Sequence, residues 1–264
     1  MNDTAEEPLE PKEFLLRSLK EFENVVGEAV QVSERNIGLV HTGRQRRGLF
    51  VFSKLIAHGM SLLVLVRHGL ETGFLDHFST ATLGRAVVDA SIMTMYISEP
   101  SLSTDSWNLR RHVLFLHDLT NRKRFLAALG EEFPFFENYD QIKSDLKRAI
   151  ADFGVRLGLS GEEITKLQDG QVFVSGVRGA IREAGWLQDS FEFHQAYFSA
   201  YVHSHPVSFM RADEHAISFV EPSPFQLAFC AIVLEACSGY ISAVTERMAS
   251  FSKVDGGDPL GHIE

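Results

Sequence analysis

Two long apolar runs, Leu49–Leu70 and Phe225–Val244, constrain this chain more than any other feature. Each approaches the roughly 20 residues that a lipid-crossing helix needs. The first, however, contains Lys54, His58 and Arg67, and the second contains Gln226 and Glu235. Such groups are costly inside hydrocarbon. In a packed protein the same runs become core helices, so the sequence predicts buried helices and no membrane partner. The aromatic content fits that reading. Phe occurs 21 times against 5 Tyr and 2 Trp, which implies a core whose rings mostly need no hydrogen-bond partner.

Helical signals recur along the rest of the chain. From Lys12 to about Arg35, Leu15, Leu19, Phe22, Val26 and Ala29 repeat every three or four residues, as one face of a helix requires. Residues 36–48 hold three glycines and the cluster Arg44, Arg46, Arg47, and read as a loop. Helices are expected over about 49–72, 77–98 and 105–129. A clean apolar stripe runs from Tyr139 to Leu157. Ser160-Gly-Glu-Glu163 is a capping box, and Ser223, Pro224 and Gln226 mark another start. A short helix is expected over 177–184 and a longer one over 187–203. Residues 169–176 are either loop or extended. No stretch alternates as a strand would, and no repeat is evident. The expectation is an all-α fold, a multi-helix bundle of seven or eight helices with short loops. It forms one helical domain over 12–251, with disordered tails at 1–11 and 252–264.

The net charge is -10, from 25 basic and 35 acidic residues. Phosphate-driven nucleic-acid binding calls for a basic excess, so it is disfavoured, although not excluded. The two basic clusters, Arg44 to Arg47 and Arg110 to Arg124, read as solvated surface. Cys230 and Cys237 lie about 10 Å apart along a helix, too far for a disulfide. Reduced buried thiols point to the cytoplasm. The acidic start lacks the basic and apolar regions of a signal peptide. No phosphate-binding loop, nucleophile elbow, dinucleotide fingerprint, zinc pair or Glu-x-x-His helix is present, so no cofactor and no metal are expected.

Three features could carry chemistry. Arg85 and Asp89 lie one turn apart on an apolar helix, with Tyr96 seven residues further along. A charge inside such a helix must be paired. The pair either orders the bundle or floors a pocket. The second feature is Tyr197-Phe-Ser-Ala-Tyr-Val-His-Ser-His-Pro206, in which Ser199 and His203 share a face, as do Tyr197 and Tyr201. A His at a helix C-terminus can cap the turn or move a proton. The third is Arg111-His-Val-Leu-Phe-Leu-His117. Its spacing resembles the motif of HEPN-type helical ribonucleases. That resemblance implies metal-independent RNA cleavage, supported by Arg111 and His117, at a dimer interface.

Taken together, Gly84–Asp89 through Tyr96, Arg110–Asp118 through Arg122, and Tyr197–His203 with Pro206 resemble a bacterial family of all-helical proteins of unknown function. The match spans roughly residues 50–245. Members more often carry Glu where this chain has Asp89. The resemblance implies the fold class and the convergence of Arg85, Asp89, Ser199 and His203, and it implies no activity.

The leading expectation is therefore a binding or interaction module. A buried polar pocket built from Arg85, Asp89, Tyr96, Ser199, Tyr201 and His203 would accept a small anionic ligand. The alternatives are a metal-independent ribonuclease or phosphodiesterase using Arg111, His117 and His203, and a purely structural homodimer. Whether the chain is an enzyme stays open at this point.

Overall fold

The computed structural model describes residues 9–39, 41–130, 138–253 and 257–261. Among them all regular structure is helical. The helices are α1 (Pro11–Glu34), α2 (Gly43–Thr72), α3 (His77–Ile97), α4 (Thr104–Leu129), α5 (Tyr139–Arg156), α6 (Gly161–Gln168), α7 (Gly176–Glu183), α8 (Gln188–Val202) and α9 (Pro224–Phe251). A short 3-10 turn follows α8 at Pro206–Ser208. The described residues thus hold nine α-helices where the sequence implied seven or eight. α6 and α7, eight residues each, begin close to the positions that the sequence indicates. Residues 169–175 are turn and loop. The connection containing Pro134 lies outside the described residues.

The largest departure from the sequence expectation is the start of α2, six residues earlier than Leu49. Thr42 and Gln45 form a reciprocal capping box, each side chain accepting from the other's backbone N–H at 3.0 Å. Two orphan amides are satisfied there, and the glycines at 43 and 48 are carried inside the helix. Further boxes at Ser160 with Glu163 and at Ser223 with Gln226 start α6 and α9 as the sequence indicates.

The contacts divide the chain into two compact units, whereas the sequence offers no marked break inside 12–251. The larger holds residues 1–98 and 186–258 and contains α1, α2, α3, α8 and α9. In it α3 packs on α2, α8 and α9, and α1 packs on α9 and α2. Phe22, Phe52, Leu55, Val87, Phe191, Phe198, Leu234 and Ile241 are buried. The approach of α3 to α9 depends on Gly84. A Cβ there would lie 2.6 Å from Val233 Cγ1. Both cysteines are buried and free, and burial pushes the Cys230 thiol up to about 12.

The sequence reading of Arg44 as solvated surface is overturned. Arg44 is buried. Its Nε donates to the Ile97 carbonyl at 2.8 Å and its Nη1 to Asp258 Oδ1 at 3.0 Å. Its guanidinium lies 4.9 Å from the Phe251 ring centre. Thr42 Oγ1 donates to Asp258 Oδ2 at 2.7 Å. Gln45 Nε2 donates to the Phe251 and Lys253 carbonyls. The expected loose tail is therefore fixed at Asp258, because a buried guanidinium needs a carboxylate. Arg46 is exposed, as expected.

The smaller unit holds residues 99–185 and 259–263, with α4 to α7. Leu109, Val113, Leu116, Ile150, Ile164 and Leu167 make its core. Here too one basic residue departs from the surface reading. Arg110 is buried and pairs with Glu183 at 2.7 Å.

Removing Asp258 should leave the Arg44 charge buried without its carboxylate. Asp258→Ala is expected to cost about 3–5 kcal/mol in denaturant unfolding, and the double variant Arg44→Met/Asp258→Leu clearly less. Equal losses in both would show that packing, not charge, sets the effect.

Candidate functional site

α3 and α8 meet around Gly84, whose α-carbon side faces Phe198. One residue further on, Arg85 Nε donates to Ser199 Oγ at 2.9 Å, across 114 residues of chain. Its Nη1 pairs with Asp89, one turn along α3. The two polar segments singled out in the sequence thus touch through Arg85 and Ser199. The expectation of a buried pair is met by neither partner: Arg85 is partly exposed and Asp89 exposed. The Arg85 side chain is 19% exposed and Asp89 is 53% exposed.

The other residues expected at this pocket lie in different surroundings. Tyr96 is buried within the α3 core. His203 is exposed at the α8 C-cap, where its backbone N–H donates to the Ser199 carbonyl. Its ring lies 5.9 Å from that of His205. Among the described residues no group of three or more His, Cys, Asp or Glu is placed to hold a metal. Tyr201 is buried in an aromatic cluster. Its ring centre lies 4.7 Å from Phe229 and 6.1 Å from His77, and its hydroxyl 3.5 Å from Tyr197 Oη. Burial pushes its phenol up.

The smaller unit places the third motif. On α4, Arg111 is half-buried and its Nε lacks a hydrogen-bond partner among the described residues. His117 is exposed and lines a cavity of about 250 Å³. The same cavity is lined by Thr120 from α4, Lys143 and Lys147 from α5, and Gln168, Asp169 and Gln171 around the end of α6. Arg111 is not among the lining residues. Six residues along a straight helix turn a side chain about 120° away, so Arg111 and His117 face different surroundings.

The cavity walls are fixed by the backbone. Gln168 Nε2 donates to the Lys147 carbonyl at 2.9 Å, tying α6 to α5. Gly170 adopts φ +114, and the Gln171 amide turns back to the Lys166 carbonyl. Lys147 Nζ lies 3.5 Å from Asp169 Oδ1. Lys143 stands one turn before Lys147 on the same face. Sequence reading passed over both lysines. The available signal was their four-residue spacing directly beside the apolar stripe Ile142–Leu146–Ile150.

The aromatic cluster has a thermodynamic consequence. His77 is buried among Phe78, Phe225, Phe229 and Tyr201, and its Nδ1 has no hydrogen-bond partner. Burial lowers its pKa to about 4, against a raising effect from Asp76 and a further lowering by His215. The unfolded chain takes up this proton below about 6.5 and the folded chain only near 4. His77 therefore contributes nothing unfavourable above pH 6.5, and stability falls as pH drops toward 4. Relative to His77→Gln, the native chain should lose on the order of 2 kcal/mol over that interval, allowing for partial solvent screening. Urea unfolding at a series of pH values reads the difference, and parallel curves would contradict it.

Comparison of the chain with protein-family models, with curated proteins and with solved structures finds no match.

Proposed function

We propose that the chain is a binding module whose cavity between α4, α5 and the end of α6 accepts a small anionic group. The carrying observation is charge placement. Two lysines of α5 and a histidine of α4 line one cavity of about 250 Å³, in which Asp169 is the single carboxylate among the described residues. An ammonium beside a partly enclosed anion makes a strong, charge-assisted hydrogen bond. Asp169 holds Lys147 at the cavity, and Lys143 brings a further positive charge. The imidazole of His117 adds a ring nitrogen to the same wall.

This reading keeps the anionic ligand expected from the sequence and moves its site. Arg85 supports it less well as a ligand fork, because Nε already donates to Ser199 and the guanidinium is ion-paired with Asp89. We assign that contact to joining α3 and α8. Cleavage of RNA is the weaker reading, since Arg111 does not line the cavity that His117 lines.

Inorganic phosphate and pyrophosphate are the first probes. Isothermal titration is expected to show binding that weakens with added salt. Lys143→Ala and Lys147→Ala should each weaken it about tenfold, with unchanged helical content. Arg85→Ala should leave affinity intact. No binding of either probe, or equal binding by the double lysine variant, overturns the proposal. Cleavage of single-stranded RNA that is lost in His117→Ala would instead favour the enzymatic reading.

A further inference from the structure

α2 presents a face that the described residues of its own unit leave uncovered. The helix packs on α1, α3 and α9, yet Phe50, Val64 and Met60 on its outer side are 76%, 61% and 43% exposed. At 3.6 residues per turn, Arg46, Phe50, Ser53, Ala57, Ser61, Val64, His68 and Glu71 fall within about 40° of the direction of Ala57. They form one stripe along the helix. Beside its second half, Val64, Leu65 and His68 with Thr82 and Leu83 of α3 line an open, largely apolar groove of about 730 Å³.

We propose that this face docks a second copy of the chain, with the two α2 helices antiparallel across a two-fold axis at Ala57. A two-fold contact is self-complementary, so each residue meets its mirror position on the partner. With the axis at Ala57, Phe50 stands two turns to one side and Val64 two turns to the other, about 10 Å each way. The protruding ring of Phe50 in each copy then enters the partner's groove at Val64, and both insertions occur together. At the crossing lie Ser53, Ala57 and Ser61, small side chains at four-residue spacing. They allow helix axes to approach to about 8 Å.

Charge complementarity fixes the direction. Arg46 and Glu71 stand near opposite ends of the stripe, and both are exposed. The antiparallel arrangement brings Arg46 of each copy within one turn of the partner's Glu71, whereas a parallel one sets like charges side by side. The length is sufficient as well. Thirty residues span about 45 Å. Two such faces with the α3 flanks bury on the order of 1,000 Å², near the lower bound for a specific interface. α2 is also long and apolar enough to cross a membrane. A lipid surface is the competing outcome.

Sedimentation velocity of the full chain at micromolar concentration should give a species of twice 29.6 kDa. Phe50→Glu and Val64→Glu, both at exposed positions, should each yield monomer with unchanged helical circular dichroism. Arg46→Glu and Glu71→Arg should each weaken the dimer at least fivefold, and the double exchange should restore it. On mild oxidation Ala57→Cys should form a covalent dimer and Lys54→Cys should not. A monomer at every concentration overturns the proposal. So does a dimer that ignores the Glu substitutions and resists cross-linking through Ala57→Cys. A monomer that co-floats with phosphatidylglycerol vesicles overturns it in favour of a membrane-facing α2.

Discussion

A guanidinium almost stripped of water organises the larger unit. Arg44 sits where three distant pieces of chain meet: the first turn of α2, the last carbonyl of α3, and the segment after α9. A buried charge has very few arrangements that satisfy it. Here the Asp258 carboxylate, the Ile97 carbonyl and the face of Phe251 supply one of them. Asp258 in turn accepts from Thr42, the residue that caps α2. The end of one helix and the beginning of another are thereby set in register. Such a pair adds little net stability over a well-packed apolar substitute, while the loss of one partner leaves a costly unpaired charge.

The apolar skeleton was readable from the residues, because its information is local. The stripe Leu15, Leu19, Phe22, Val26 fixes a helix and the face it buries. Capping signals at Ser160 and Ser223 fixed two starts. The start of α2 was missed because the glycines and arginines of 43–48 masked the Thr42–Gln45 box. Arg44 was misread for a different reason. Its carboxylate lies 214 residues away, and no pattern along the chain links the two. A basic run beside glycines looks like surface until something far off neutralises one member.

The candidate sites divide the same way. The Arg85–Asp89 pairing follows from helical spacing alone. The contact of Arg85 with Ser199 was expected only through a family resemblance, since it depends on how α8 lies against α3. Gly84 explains in part why that packing is tight, as its missing Cβ leaves room for Val233 and Phe198. The α4–α5–α6 cavity was not foreseen. His117 drew notice for its own chemistry, but its relevant neighbours, Lys143 and Lys147, belong to another helix and occupy ordinary surface positions in the sequence.

The pairing of α1 with α9 has a consequence for biosynthesis. The apolar stripe of the first helix emerges from the ribosome about two hundred residues before the helix that covers it. Residues 99–185, whose helices contact near neighbours in sequence, can assemble during that interval. The larger unit closes only when Asp258 has reached Arg44. Until then the part of the α1 stripe that α9 covers remains a sticky surface on the nascent chain, of the kind that chaperones shield. The order of folding is therefore written into the topology, with the inserted segment first and the flanking one last.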